Sequence, residues 1–372
     1  MLMSLSPALP APDLLERVRA AARLVADDDE DADAVLRRLH ADTADPVGAE
    51  ARLVRLAVGA LVARRAGAAA DIGNLYGGAA GPAEMLRAFQ SFVEDMPLVR
   101  FGHRTANAAH LAAIGDADAA CILDVGLGMG SQWDPLLRAL AARPGGPPRL
   151  HLIGLDLPAP GPNPAAALES VGARLTRVAA DCGVPFRFTA LPGRVEDVDL
   201  PQATPGERLT INAVLALHHT GVDDRDATLQ RLAATGADAL VLCEPEADHD
   251  APGFLPRLDA ALHHYGLLFR VLERCLPPES EARAVIEGQF FGRELHNVVV
   301  GEGPARVERH APTSDWSRRL RLAGLRPFLF ADAGAFDLPA GVAVVSAGPA
   351  RALTVDGAPL VVVSAWAPAA TA

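Results

Sequence analysis

A glycine-rich loop in the 372-residue sequence carries the residue types best suited to chemistry. The segment from Asp124 to Gly130 has the pattern D-x-G-x-G-x-G and follows a short apolar run that predicts a strand. Glycines let the backbone turn tightly and approach a ligand closely, because no Cβ lies in the way. The helix expected after the loop points its N-terminus at that ligand and favours a carboxylate there. Asp124, Gly126, Gly128 and Gly130 are therefore predicted to bind a nucleotide-type ligand.

The charge of the loop indicates which ligand. Asp124 places a negative charge at the end of the strand, which suits a ligand that carries an ammonium and a sulfonium and suits a pyrophosphate poorly. The rival dinucleotide fingerprint G-x-G-x-x-G/A fails because Ser131 follows Gly130. The sequence therefore predicts S-adenosylmethionine as the cofactor, with a tight structural turn as the alternative.

Polar residues at the ends of later predicted strands extend this cofactor site. Asp156 ends the second strand, where a carboxylate accepts hydrogen bonds from ribose hydroxyls. Glu196 follows the third strand and is predicted to contact adenine, and Asn212 in the fourth strand completes the set. The alternative for Asp156 is a solvated loop residue.

Histidines and a glutamate follow the fourth and fifth predicted strands. His218 and His219 come after the fourth strand, and Glu244 and His249 end and follow the fifth. Ligands of open α/β sheets lie outside the carboxyl ends of the strands, so these side chains are expected in the same crevice as the glycine loop. Methyl transfer depends on positioning, and a hydroxyl or amine nucleophile also needs a base near neutral pH, which histidine supplies. These four residues are the candidate catalytic residues.

A metal site is not predicted. Glu244, Glu246, His249 and Asp250 offer oxygen and nitrogen ligands, but their spacing matches no specific metal motif. The four cysteines form no C-x-x-C pair, which favours a reduced compartment over a disulfide framework or a zinc site.

The pattern of apolar residues changes along the chain. Residues 1–115 have helical spacing, including a stretch near 84–94. From residue 116 to 372, strands alternate with helices, which predicts a Rossmann-type α/β core with a mostly parallel sheet. One helix is predicted to start at Pro135 with Asp134 as N-cap. In the tail, a strand at Leu295–Val300 and strands around Asp356-Gly357 predict antiparallel additions at the sheet edge.

Composition limits the partners. The formal net charge of −12 repels phosphate backbones, so general nucleic-acid binding is not expected. No apolar run approaches the roughly 20 residues that span a bilayer, and the N-terminus lacks a basic region followed by a long apolar stretch. The sequence therefore predicts a cytoplasmic protein with no membrane partner, and it leaves a homodimer open.

Several segments, taken in order, resemble the GRAS family. Their series covers most of the chain from about residue 85 onward, and such a series is highly specific. The matching segments are Phe101 to Asn107, Cys121 to Asp124, Gly130 to Trp133, Arg143 to Pro148, Glu244 to Asp250, Ala261 to Tyr265, Phe291 to Val299, Arg306 to His310, and Ser364 to Trp366.

The resemblance implies a methyltransferase-like core under a helical cap. The cap would combine residues 1–115 with an insert near 276–293. A substrate pocket between cap and core would then involve His103, Asn107, Arg293 and Asn297. Helix packing at a domain junction is the alternative for His103 and Asn107.

The resemblance also implies two functions. Plant members are transcriptional regulators, whereas bacterial members are thought to be small-molecule methyltransferases. Plant loops typically lose a glycine that this loop keeps, although the stretch from Ala331 to Ala358 looks shortened. We therefore predict an S-adenosylmethionine-dependent methyltransferase acting on a small-molecule substrate. The alternative is a non-catalytic regulator or ligand-binding protein that keeps the methyltransferase fold.

Overall fold

The N-terminal part of the chain is helical. The computed structural model describes residues 13–68, 92–93 and 96–369. The helices of this part are α1 (Leu14–Ala26), α2 (Ala32–Asp42), α3 (Gly48–Arg65) and α4 (Pro97–Ile114). Helix α1 begins where the side chain of Asp13 accepts a hydrogen bond from the Glu16 amide at 2.7 Å, which satisfies one of the free amides of the first turn. The helix predicted near 84–94 lies almost entirely outside the described residues.

A nine-stranded sheet forms the centre of the molecule. Its strands are β1 (Ala119–Val125), β2 (Arg149–Asp156), β3 (Phe186–Pro192), β4 (Arg208–Val214), β5 (Ala239–Pro245), β6 (Leu325–Pro327), β7 (Val342–Ala347), β8 (Ala350–Val355) and β9 (Ala358–Pro368). The order is β3-β2-β1-β4-β5-β9-β8-β7, and β6 pairs with β9. Strands β1 to β5 are parallel, and the pairs that involve β6 to β9 are antiparallel.

This topology confirms the predicted α/β class, a Rossmann-like core with antiparallel strands at one edge. Strands β1 and β5 are buried at every residue, as expected for parallel strands covered on both faces. The tail turns at Asp356 and Gly357 between β8 and β9, where both residues have positive φ (51° and 84°).

Helices cover both faces of the sheet. They are α5 (Trp133–Ala141), α6 (Ala166–Cys182), α7 (Val222–Ala234), α8 (Phe254–Cys275), α9 (Glu281–Val285), α10 (Gly292–Val300) and α11 (Thr313–Leu322), with a π-helical turn at Ile286–Phe291 before α10. Helices α5 and α6 bury Trp133 and Leu175 in a cluster with Ile122 of β1. Helices α7 and α11 bury Leu229 and Trp316 in a second cluster.

A further helical layer joins the N-terminal helices to later ones. Helix α3 packs against α8 and α10, and α1 packs against α3 and α8. One apolar cluster includes Val54 of α3, Leu268 of α8, Val298 of α10 and Val363 of β9, so this layer is continuous with the sheet. Helix α4 packs directly on β4, β5 and β9. A division into cap and core at residue 115 stays a prediction.

Two local expectations are wrong. The segment Leu295–Val300 lies in helix α10 rather than in a strand. Because a short buried apolar run looks the same in a strand and in a buried helix, its valines favoured the wrong assignment. Helix α5 begins at Trp133, so Asp134 lies in its first turn instead of capping it, and its carboxylate pairs with Arg174 at 2.6 Å.

Among the described residues, no helix is both long and apolar enough to cross a membrane.

Candidate functional site

The glycine loop follows β1 and turns at three glycines with positive φ. The φ values are 83° at Gly126, 53° at Gly128 and 66° at Gly130. A Cβ on Gly126 would lie 2.9 Å from the Cβ of Ala216, and one on Gly130 would lie 2.7 Å from Val171. A Cβ on Gly128 would meet no protein atom within 4 Å among the described residues. Packing therefore explains the outer two glycines, whereas Gly128 faces open space.

Asp124 braces this loop from below. It is 2% exposed, and its two carboxylate oxygens accept hydrogen bonds from Trp133 Nε1 and Asn212 Nδ2, each at 2.7 Å. Burial raises the pKa of Asp124 to about 7, although both hydrogen bonds act in the opposite direction. Both of its oxygens are thus occupied by protein donors.

Asn212 is the centre of the same network. Its Oδ1 accepts from Gln132 Nε2 and lies 3.0 Å from His110 Nε2. Burial lowers the pKa of His110 to about 4, so this ring is neutral at physiological pH. Sequence analysis did not select Gln132, Trp133 or His110 as site residues. The segment Gly130 to Trp133 stood out only as a family motif.

Asp156 lies beside the open glycine. Its Oδ2 accepts from the Gly128 amide at 2.9 Å, and its Oδ1 accepts from the Leu157 amide at 2.7 Å. The residue is partly exposed at the carboxyl end of β2. Glu196 follows β3 and pairs with its neighbour Arg194 at 2.8 Å. Asp156 therefore adjoins the loop, and Glu196 is engaged within its own turn.

The four candidate catalytic residues belong to one group of rings and carboxylates. His218 Nδ1 lies 2.6 Å from Glu244 Oε2, and Glu244 Oε1 accepts from the Leu217 amide at 2.9 Å. We use the name histidine cluster for His218, His219, Glu244, His249, His264, Glu308 and His310. Within it, the ring centroids of His218 and His219 are 4.0 Å apart, and those of His249 and His310 are 4.6 Å apart.

Three members of the histidine cluster were not predicted as site residues. Glu308, His310 and His264 stood out only within family motifs, and the sequence left helix packing or a solvated surface open for His264. All three are buried beside the predicted four. Glu308 and His310 lie in the loop that follows α10. The sequence pattern of helices and strands does not show that this loop reaches the ends of β4 and β5.

Burial sets the protonation of the histidine cluster. It lowers the pKa of His218, His249 and His264 well below the usual 6.5, and it raises the pKa of Glu244 to about 7. The side chain of His219 is 39% exposed, whereas those of His218 and Glu244 are 5% and 4% exposed. Of the four candidate catalytic residues, His219 is therefore the one that a substrate in solution can reach directly.

The four candidate substrate residues lie in two places. Arg293 and Asn297 line a cavity of about 340 Å³ between α3 and α10, together with His40, Arg55 and His296. Asn107 in α4 instead donates to the Gln132 carbonyl at 2.9 Å, and His103 is largely buried in the same helix, which lowers its pKa to about 4. A single pocket does not unite these residues among the parts of the chain that the structure describes.

Besides lining this cavity, Asn297 forms hydrogen bonds to the backbone of the loop that follows α10. Its Oδ1 accepts from the amides of Val307 and Glu308 at 2.8 and 3.0 Å, and its Nδ2 donates to the Ala305 carbonyl at 3.0 Å. This amide therefore fixes the backbone of the loop that carries Glu308.

Comparisons with known proteins give a consistent picture. The profile described as the GRAS domain family matches residues 14–367. Scarecrow-like protein 5 from Arabidopsis thaliana is 34% identical over 256 residues, which cover 67% of this chain and 43% of that protein. Scarecrow-like transcription factor PAT1 from the same plant is 30% identical over 303 residues, which cover 79% and 61%. The chain thus spans about half the length of these curated relatives.

A solved structure matches nearly the whole chain. The crystal structure of SCL7 in Oryza sativa aligns with a TM-score of 0.83 and 29% identity, over 96% of this chain and 100% of that chain. A magnesium protoporphyrin IX methyltransferase from Synechocystis, solved with bound SAH, aligns with a TM-score of 0.38 and 14% identity.

Proposed function

This chain belongs to the GRAS domain family, and we propose that it is an S-adenosylmethionine-dependent methyltransferase acting on a small molecule. The observation that carries this proposal is the open side of Gly128 next to the Asp156 carboxylate. The Gly128 amide lies 2.9 Å from Asp156 Oδ2, and a Cβ on this glycine would enter empty space. Other turn glycines such as Gly183 also face open space. The combination of this space with a carboxylate at the carboxyl end of β2, where ligands of α/β sheets bind, is what favours a ligand.

The residues at the loop fit the cofactor by chemistry. Each oxygen of Asp156 accepts one backbone amide and keeps a second lone pair, and because this carboxylate is partly exposed, unlike that of Asp124, it can also accept hydrogen bonds from ribose hydroxyls. Gly126 and Gly130 hold the loop in its turn. Asp124 and Asn212 act beneath the loop and keep its shape through buried hydrogen bonds. Bound S-adenosylmethionine supplies an electrophilic methyl group.

The partly exposed His219 is the proposed base. A hydroxyl or amine acceptor must lose a proton during methyl transfer, and an imidazole accepts it near neutral pH. The ring of His218 packs against that of His219, with their centroids 4.0 Å apart. The 2.6 Å contact with Glu244 Oε2 holds the His218 ring in place. Arg293 and Asn297 remain proposed substrate residues through the cavity that they line.

One observation favours a second function, a regulator that binds a ligand without turnover. His218, Glu244 and His249 are almost fully buried, which is unusual for groups that must exchange protons with a substrate. One relative is named a transcription factor, although this chain covers only 61% of it. The two functions differ in whether a methyl group reaches any acceptor.

Asp156→Ala is expected to weaken cofactor binding roughly ten- to hundredfold, because charge-assisted hydrogen bonds to the ribose are lost, about 1.5–3 kcal/mol. The measurement is calorimetry with S-adenosylmethionine and with S-adenosylhomocysteine, for which the wild type should show micromolar affinity, about −8 kcal/mol. Asp181→Ala removes the same charge from an exposed position in the last turn of α6 and should leave the affinity unchanged. Equal affinity in the Asp156 variant and the wild type would exclude Asp156 from the site. A folded wild type that gives no heat with either ligand would refute the function itself.

General DNA binding is expected to be absent at physiological salt, because a net charge of −12 opposes the phosphate backbone. Gel-shift titration of random duplex at two salt concentrations checks this. Nanomolar, salt-sensitive binding would contradict it and would favour the regulator.

A further inference from the structure

The histidine cluster contains three potential metal ligands that converge. His218, Glu308 and His310 are all buried, and one ligand atom from each lies within 4.8 Å of the other two. We propose that these three side chains bind one divalent transition-metal ion, zinc being the best match. The proposal requires neither cofactor binding nor methyl transfer, although the ligands lie next to the proposed base His219.

The spacing of the ligand atoms supports the proposal. Glu308 Oε2 is 3.6 Å from His218 Nε2 and 3.5 Å from His310 Nε2. These separations are too long for good hydrogen bonds, which lie near 2.7–3.2 Å. Two ligands of one tetrahedral zinc ion, each about 2.0–2.1 Å from the metal, are about 3.3–3.5 Å apart. Two of the three separations are thus close to the distance that a shared ion sets, and the third is no longer than 4.8 Å.

The state of Glu308 calls for a cation. Its carboxylate is 1% exposed, and neither oxygen has a hydrogen-bond partner among the described residues. A buried carboxylate without partners is costly unless an opposite charge compensates it. The nearby guanidinium groups of Arg225 and Arg309 pair with Asp250 instead, at 2.7 and 3.1 Å. Three imidazoles lie 3.5 to 3.7 Å from its oxygens, and an ion held between Glu308 and two of them would supply a permanent positive charge.

The surroundings of the ligands match the usual second layer of a metal site. Metal-binding histidines commonly donate their other ring N–H to a carboxylate, which fixes the ring and its tautomer. Glu244 Oε2 lies 2.6 Å from His218 Nδ1, so Nε2 is left to face Glu308. Asn297 holds the backbone of Glu308, and the His249 amide donates to the His310 carbonyl at 2.9 Å. Each ligand is therefore fixed by a contact of its own or of its backbone.

The donor set selects the class of metal. Two imidazoles with one carboxylate suit zinc and its neighbours in the first transition row, whereas magnesium and calcium prefer oxygen ligands. The partly exposed His219 has Nδ1 3.7 Å from Glu308 Oε1 and gives the site a side open to solvent. Water can enter there as a fourth ligand. These ligands differ from the four residues considered from the sequence, Glu244, Glu246, His249 and Asp250. In the structure, Glu246 accepts a hydrogen bond from Thr313 and Asp250 pairs with Arg225.

The test uses the full chain, freed of any affinity tag. Elemental analysis of protein purified without chelators should find one zinc ion per chain. After removal with a chelator, titration with Co²⁺ alone should give the intense visible absorption of tetrahedral cobalt, and Zn²⁺ should displace it. Glu308→Gln and His310→Gln should lose this absorption. Glu244→Gln, which removes only the outer contact, should weaken zinc binding roughly 10- to 100-fold. His110→Gln changes a fully buried histidine outside the cluster and should keep full stoichiometry.

The result that overturns the proposal comes from the wild type, so it does not depend on whether a variant folds. A folded wild type that contains no metal and shows no cobalt absorption would refute it. Cobalt absorption that persists in both Glu308→Gln and His310→Gln would refute the ligand assignment as well. Loss of absorption in these two variants alone, with their circular dichroism unchanged, would support it.

Discussion

Replacing Gly128 by valine is expected to raise the dissociation constant for S-adenosylmethionine roughly 100-fold or more. The Cβ of the substituted side chain would lie beside Asp156, where no other side chain of the described residues comes within 4 Å. The described part of the protein has room for a Cβ at this point, so any loss beyond backbone strain would arise from exclusion of the ligand. Calorimetry with the cofactor and with its demethylated product measures the effect.

A matched control separates exclusion from backbone strain. The φ of Gly128 is 53°, so any side chain there costs about 1–2 kcal/mol in the left-handed region. Gly183 at the end of α6 has φ 72° and likewise meets nothing within 4 Å. Gly183→Val should therefore lower the melting temperature to a similar extent and leave cofactor affinity intact. If Gly128→Val bound the cofactor within threefold of the wild type, the open side of Gly128 would not be the binding surface.

The sheet was the part of the fold that the sequence predicted best. Short apolar runs that alternate with amphipathic helices leave few arrangements other than a parallel sheet, and the glycine loop marks its first turn. Helix α10 was mistaken for a strand because its buried face is continuous with α3 and α8. A helix that is buried by its neighbours loses the polar face that would reveal its period.

The sequence predicted the site residues that lie at strand ends and missed those that lie in a later loop. His218 follows β4 and Glu244 lies at the end of the adjacent parallel strand β5, so their proximity follows from topology. Glu308 and His310 reach the same place from a loop whose backbone donates hydrogen bonds to Asn297. These bonds join residues ten and eleven positions apart, and no helical or strand periodicity predicts them. Asp124 was predicted to bind the ligand because its charge suits an ammonium and a sulfonium, yet in the structure its two oxygens accept hydrogen bonds from Trp133 and Asn212.

His219→Ala is expected to lower methyl-transfer turnover about 10²- to 10⁴-fold while leaving cofactor affinity nearly unchanged. The reason is geometric: of the candidate bases, His219 has an accessible ring, 39% exposed, at the carboxyl end of β4. The assay follows transfer from methyl-labelled S-adenosylmethionine to a broad metabolite panel. The variant and the wild type are compared at equal metal content, because His219 lies next to Glu308. His263→Ala, an exposed histidine on α8, is the matched control and should retain full turnover.

The outcomes of this assay separate three readings of the same residues. A large loss in His219→Ala with full activity in His263→Ala would establish His219 as the group that deprotonates or orients the acceptor. Transfer that survives His219→Ala would refute that role and leave the enzyme intact, since a thiol or an already ionised acceptor needs only positioning. Cofactor binding that raises the melting temperature of the wild type, with no label on any acceptor, would instead identify a ligand-binding regulator. In that case His218, Glu244 and His249 would have no catalytic role, because buried side chains that a substrate cannot reach exchange no proton with it.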